Sequence, residues 1–173
     1  NGIVYIGNIG AAQNLEKIVQ AISIVIKEYP KIRIKIYGGG DQEESIKKQI
    51  KKLGLSQNIL MQEPVSRKEI PKILSESRIG IVALADNKKL AYAIPTKTFE
   101  YMACEIPIIA YGGSEELKRI VIESNSGIFV EGGYSELAEK ILMLLNDKEL
   151  IESYMKNGRE FIKKQNHFTF LEE

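Results

Sequence analysis

The residues best equipped for chemistry stand together in Pro95-Thr96-Lys97-Thr98-Phe99-Glu100. Pro95 restricts Ile94 to an extended conformation and leaves Thr96 as a helix N-cap. On the helix that follows, Phe99, Met102 and Ala103 share one face, suited to packing on a sheet. Thr96 and Glu100 are four apart, and Lys97 and Glu100 three apart. A hydroxyl, a cation and a carboxylate therefore meet on another face around the helix start. Free N–H groups and the positive end of the helix dipole favour a phosphate there, and Lys97 adds a full charge. The same spacing also describes a plain N-cap followed by an exposed ion pair worth ~0.3–0.5 kcal/mol. Spacing alone leaves both readings standing.

The elements that must position this segment follow from hydrophobic period. Short β-branched runs at Ile3–Ile6, Ile32–Tyr37, Asn58–Gln62, Ile79–Leu84, Pro107–Ala110 and Gly127–Val130 read as six strands. Between them, Leu15, Ile18, Val19, Ile22 and Ile26 recur at helical spacing, as do Ile46, Ile50 and Leu53, with Gly54 as a left-handed cap. Further helices are expected from either Ser66 or Pro71, at Thr96–Cys104, at Glu115–Glu123, through Leu137, Ile141, Leu142 and Leu145, and at Lys148–Lys164. Strands alternating with helices imply an α/β fold: a doubly wound, mostly parallel six-stranded sheet with helices on both faces, Rossmann-like. Ligands bind such sheets beyond the carboxyl ends of the strands. Glycines gather there, at Gly7 and Gly10, Gly38–Gly40, Gly112–Gly113 and Gly132–Gly133. Tight turns call for glycine too, but four glycine loops on one edge favour a binding site.

Composition narrows the classes. The 173 residues carry 24 basic and 23 acidic side chains, a formal charge of +1, which argues against a nucleic-acid partner held by phosphate neutralisation. One cysteine and one histidine exclude an intramolecular disulfide and a cysteine- or histidine-built metal site. No apolar run approaches the ~20 residues of a membrane span, and no signal sequence opens the chain, so a cytoplasmic location is expected. The chain starts at Asn1 directly ahead of a strand, as expected of a piece of a longer polypeptide. The dinucleotide fingerprint and the Walker lysine motif are absent, which disfavours dinucleotide oxidoreductases and P-loop enzymes. A receiver domain would need carboxylates after its first strand, and that loop has none. His167 reads as a solvated or packing residue and Cys104 as a small core residue. Lys47, Lys48, Lys51 and Lys52 read as a solvated helix face.

Residues 95–110 resemble the C-terminal, donor-binding half of retaining group 1 glycosyltransferases of the GT-B fold. A branch of that family carries Pro-Ser-Lys-x-x-Glu-Tyr-Met-Ala-x-Gly-x-Pro-Val-Ile-Ala. Pro95, Lys97, Glu100, Tyr101, Met102, Ala103, Pro107, Ile109 and Ala110 match it. The likeness extends through Gly7-Asn8-Ile9-Gly10 with Gln13, Leu15 and Glu16, the Gly38–Gly40 loop and Asn58–Pro64. It implies that residues 1–173 form a nucleotide-sugar domain without its N-terminal acceptor domain. The resemblance places Glu100 on the ribose, the N–H groups of Thr96 and Lys97 on the diphosphate, and the Gly7–Gly10 loop near phosphates and sugar. It places the backbone near Met61 on the base. The donor-binding set implied is Gly7, Asn8, Gly10, Met61, Tyr92, Thr96, Thr98 and Glu100, with Lys97 as the catalytic charge.

Three departures accompany the likeness. Tyr92 stands where many members have a glutamate, Asn8 and Gln13 where many have an arginine and a lysine, and Glu105 where glycine is usual. The resemblance implies a nucleotide-diphosphate sugar as partner, UDP first, with no metal and no other cofactor. Isolated Asp41, Asp86 and Asp147 agree, since no Asp-x-Asp pair occurs. It further implies work on surface polysaccharide or glycolipid, a lipid-linked acceptor with a peripheral place at the inner membrane face, and no transfer by this piece alone. The alternatives are a non-catalytic nucleotide- or effector-binding module of the same fold, and a GT-B-like nucleotide-sugar epimerase.

Overall fold

The computed structural model describes residues 2–165; His167 lies outside them. Six strands form one sheet: β1 (Gly2–Ile6), β2 (Ile34–Tyr37), β3 (Ile59–Gln62), β4 (Ser77–Ala83), β5 (Ile108–Tyr111) and β6 (Gly127–Val130). Among the described residues seven α-helices accompany them: α1 (Glu16–Val25), α2 (Glu43–Lys52), α3 (Ile70–Ser75), α4 (Lys97–Ala103), α5 (Glu115–Ser124), α6 (Tyr134–Asn146) and α7 (Lys148–Lys164). The spatial order is β3-β2-β1-β4-β5-β6, and every ladder is parallel, where the sequence predicted a mostly parallel sheet.

Alternation of isoleucines divides the core in two. On one face, Ile3 and Tyr5 of β1, Ile34 and Ile36 of β2 and Ile109 of β5 pack under α1, α2 and α6. On the other, Val4, Ile6, Val82, Ile108 and Ala110 pack under α3, α4 and α5. Burying each such side chain contributes about 1.5–3 kcal/mol, which fixes which face of each strand points where. Helix α7 joins the two, with Ile151 in the first core and Phe161 and Ile162 against the second. It seats closely on α4 because Gly158 has no side chain: a Cβ there would lie 3.4 Å from that of Met102.

Strand order reverses between β1 and β4, so the crevice where a ligand fits lies beyond their carboxyl ends. The loop after β1 and the start of α4, reached from β4, flank that crevice. All four glycine loops fall on this edge of the sheet.

The structure adjusts several predicted boundaries. Ile32 and Asn58 stand just outside β2 and β3; the buried Asn58 amide donates to the carbonyls of Pro30 and Ile32 and ties the two strand entrances together. Of the two expected starts of α3, the helix uses the one near Pro71, and Ser66 with Glu69 forms a separate turn ahead of it. Glu69 accepts from the Ser66 N–H and hydroxyl at 2.9 and 2.7 Å in a preceding turn, and the helix then begins at Ile70 with Pro71 in its first turn. Two short 3-10 turns, Ala11–Gln13 and Lys88–Leu90, carry no apolar stripe and were not legible.

Helices α2 and α4 end in the same way. After α2, Gly54 takes φ 69° and Leu55 N–H bonds back to the Ile50 carbonyl. After α4, Glu105 takes φ 57° while its N–H bonds to Met102 and that of Ile106 to Tyr101. A left-handed residue without glycine's freedom costs about 1 kcal/mol. Glu105→Gly is therefore expected to raise stability by about 1 kcal/mol, read as a higher thermal midpoint; a fall would mean the Glu105 side chain stabilises the cap.

Candidate functional site

The loop after β1 is built on three buried tyrosines. Tyr5 stands in a strand of isoleucine and valine, and its hydroxyl donates to the Asn8 carbonyl at 2.7 Å. Tyr111, closing β5, donates to the Asn14 carbonyl at 2.5 Å. Tyr101, on α4, accepts the Ile6 N–H at 3.0 Å. That last bond has a clear cause. The β1–β4 ladder ends at Val4 and Gly80, so the next N–H on that side, at Ile6, needs another acceptor. The Tyr101 ring lies across Gly80, where any Cβ would strike it. Burial pushes all three hydroxyls above their ordinary pKa, so each stays a neutral hydrogen-bonding group. None of the three entered the predicted site. The signal was available: a tyrosine within an otherwise aliphatic buried strand must find a partner for its hydroxyl.

Above them the loop bonds to itself and to its neighbour. Gly7 N–H donates to the Tyr37 carbonyl and Ile9 N–H to Gly39, both at 2.9 Å. Gly7 has φ 149° and Gly38 φ 153°, and a Cβ on Gly38 would fall on the Gly7 carbonyl. The two loops touch because Gly38 has no side chain where it meets Gly7. Gln13 Oε1 accepts from the Gly10 N–H at 3.2 Å and from Asn8 Nδ2 at 3.4 Å, with Asp41 beside them. Where the resemblance led to two cations, this loop holds a neutral, mutually bonded pair.

Lys97 supplies the charge. Its side chain runs from α4 to the space a Cβ on Gly7 would take, and Nζ rests 3.9 Å from the centre of the Tyr5 ring. The Lys97–Glu100 ion pair that the spacing equally allowed does not form. Among the described residues no carboxylate pairs with Lys97, and Glu100 acts on it only through its charge at longer range. Burial pulls the Lys97 pKa from 10.5 down to about 8, a fall that Glu100 partly offsets.

The other predicted residues divide. Glu100 is half-buried on the same helix. Thr96 is exposed at the N-cap position, but its backbone is helical and its hydroxyl caps nothing. Thr98 is wholly buried and its hydroxyl has no partner, so its side chain does not reach the open rim. Tyr92 is 82% exposed, held out by bonds from Glu115 N–H to the Ala91 carbonyl and from the Ser114 hydroxyl to the Ala93 carbonyl. Met61 lies in the edge strand β3. Bonds from Ile34 to the Asn58 carbonyl and from Gly38 to the Gln62 carbonyl turn those groups towards β2, which leaves the Met61 N–H and C=O facing outward. Farther along the same edge, Gly112 and Gly113 line a cavity of about 180 Å³ with Lys17, Asp86, Lys118 and Glu131. Among the described residues, no cluster of His, Cys, Asp or Glu could hold a metal ion, and no helix is long and apolar enough to cross a membrane. Lys47 pairs with Glu43 and Glu44 on an exposed face of α2.

The family model described as Glycosyl transferases group 1 matches residues 1–161. The chain belongs to this family. It is 23% identical over 175 residues to the poly(glycerol-phosphate) alpha-glucosyltransferase of Bacillus subtilis, covering 98% of this chain and 24% of that protein. Among solved structures it is similar to S. aureus TarM, described in complex with Fondaparinux, alpha-GlcNAc-glycerol and UDP. There the TM-score is 0.80 at 20% identity, over 94% of this chain and 32% of TarM. The C-terminal domain of the glycosyl transferase group 1 protein LpcC from Francisella tularensis superimposes with a TM-score of 0.79 at 22% identity, over 95% of this chain and 85% of that domain. The chain thus spans well under half the length of the full-length relatives it matches, and the fold is the α/β, Rossmann-like half of a GT-B glycosyltransferase.

The Tyr101 bond is the joint between α4 and β1. Tyr101→Phe leaves the buried Ile6 N–H without an acceptor and is expected to cost about 1–3 kcal/mol in chemical denaturation. A change below about 0.5 kcal/mol would show that the joint does not depend on this hydroxyl.

Proposed function

We propose that the chain is the donor-binding domain of a retaining glycosyltransferase that takes a nucleotide-diphosphate sugar, with UDP as the nucleotide. The observation that carries this reading is the Lys97 ammonium placed at Gly7, without an ion-pair partner among the described residues, at the point where strand order reverses. A cation without a counter-ion at a glycine-lined rim suits a phosphate. In transfer, the bond from the anomeric carbon to the diphosphate breaks, the acceptor's hydroxyl oxygen takes its place, and the hydroxyl proton passes to the departing diphosphate. Negative charge gathers on the departing diphosphate. Lys97 and the N–H groups of Thr96 and Lys97 stabilise that charge, the electrostatic contribution on which such chemistry depends most. Glu100 holds the ribose, the outward edge of Met61 the base, and Tyr92 flanks the transferred sugar. TarM's description with UDP supports the choice of nucleotide.

A further domain of the full-length protein supplies the acceptor side, and the clamp works without a metal. The Bacillus relative's poly(glycerol-phosphate) acceptor supports a cell-surface polymer or lipid-linked acceptor. The lysines of α2 would keep the protein at the inner face of the membrane. The neutral Asn8–Gln13 pair favours one second reading, a nucleotide-binding module without transfer; sugar transfer by the full-length protein separates the two.

Calorimetric titration with UDP tests the site. Only the ammonium form attracts the diphosphate, so affinity is expected to fall as pH rises through about 8 and to be retained below it. Lys97→Met is expected to bind about tenfold more weakly and to lose that pH dependence. Absence of UDP binding, or the same pH profile in both proteins, would remove Lys97 from the clamp. Gly7→Ala places a methyl group where the ammonium sits and strains a backbone held at φ 149°, and is expected to weaken UDP about tenfold. Unchanged affinity would show that the lysine's route past Gly7 does not matter.

A further inference from the structure

Two halves of the proposed clamp, the lysine and the glycine loop, come from opposite faces of the sheet. Lys97 belongs to α4 on one face, whereas Ile9 of the loop and the tyrosines bonded to the Asn8 and Asn14 carbonyls belong to the core on the other. One side chain touches both. The Tyr5 ring lies 3.9 Å below the Lys97 ammonium, and the Tyr5 hydroxyl donates to the Asn8 carbonyl at 2.7 Å.

We propose that Tyr5 is the positioning residue of the clamp: its ring face holds the Lys97 ammonium, and its hydroxyl holds the Gly7–Gly10 loop against it. The proposal rests on the donor-site reading and assigns a residue that the family motif in α4 does not contain.

The geometry leaves no substitute. Tyr101 is committed to Ile6 and Tyr111 to Asn14, so neither can take over the Asn8 carbonyl. Lys97 has no carboxylate partner among the described residues, and Glu100, three residues along α4, forms no ion pair with it. What keeps the ammonium inward is the aromatic face, an attraction of a kind that strengthens as water is excluded. Without a ring at residue 5, nothing on that side attracts the charge, and the flexible lysine chain gains hydration by swinging outward. A tyrosine there is accounted for by the two contacts at its polar edge and its face.

The test uses Tyr5→Phe, which keeps the ring and removes the hydroxyl, and Tyr5→Leu, which removes both. Tyr5→Met replaces the latter if it fails to fold. The first readout needs no nucleotide: the pH midpoint for acetylation of Lys97, followed by mass spectrometry. It is expected near pH 8 in the unaltered protein and in Tyr5→Phe, and above about 10 in Tyr5→Leu, where the lysine reaches water. A midpoint that stays near 8 in Tyr5→Leu overturns the proposal, whether or not UDP binds.

The second readout is a double-mutant cycle on UDP affinity. Lys97→Met is expected to cost about tenfold beside Tyr5 but less than about twofold in the Tyr5→Leu background, because the lysine is already displaced. Tyr5→Phe is expected to weaken UDP about threefold through the loosened loop and to leave the cost of Lys97→Met unchanged. Equal costs of Lys97→Met in all three backgrounds overturn the proposal. If the unaltered chain shows no UDP binding, the donor-site reading fails, and the acetylation midpoint alone decides the role of Tyr5.

Discussion

A positive charge kept partly out of water, with no ion-pair partner among the described residues, is the constraint on which the site depends. Moving an ammonium from solvent into a protein is unfavourable, and a cation usually brings a carboxylate with it. Lys97 does not. It lies on an aromatic face, under a glycine, with Glu100 acting only at a distance. Such an arrangement persists only if the surrounding structure holds the pieces in place, and it leaves the charge available to an anion arriving from outside.

The surrounding structure does this through the end of β1. That strand is central in the sheet, with β2 on one side and β4 on the other, so its carboxyl end opens where the strand order reverses. Tyr101 joins α4 to Ile6, Tyr5 joins the strand to Asn8, and Tyr111 joins β5 to Asn14. Three hydroxyls from three elements thereby define one loop. The tight seating of α7 against Met102 and the donation of Arg159 to the Ala103 carbonyl hold the far end of α4. The position of Lys97 is thus set through the last turn of a helix only seven residues long.

Much of the architecture was legible because it rests on period. Isoleucine and valine alternating in short runs, and apolar residues three and four apart, determine strands, helices and the edge that receives the glycines. Gly127–Val130 and Lys148–Lys164 coincide with the predicted spans. The site was legible only in part, because motifs name residues and not directions. Lys97 and Glu100 share a helix face, which suggests an ion pair, yet the lysine turns away towards Tyr5. Thr98 shares the motif, but the helix turns it into the interior. Thr96 precedes the helix, but its backbone conformation is wrong for capping. The tyrosines went unread because their hydroxyl partners are main-chain atoms, which leave no mark in side-chain spacing. Glu105 is the reverse case: glycine is usual there, and the left-handed φ shows the backbone reason.

The most direct measurement is a crystal structure of this chain soaked with UDP. The account predicts the diphosphate over the Gly7–Gly10 loop, with Lys97 Nζ within hydrogen-bonding distance of a phosphate oxygen. A diphosphate seated elsewhere, for instance in the cavity beside Gly112 and Gly113, with Lys97 making no contact to it, would contradict the account.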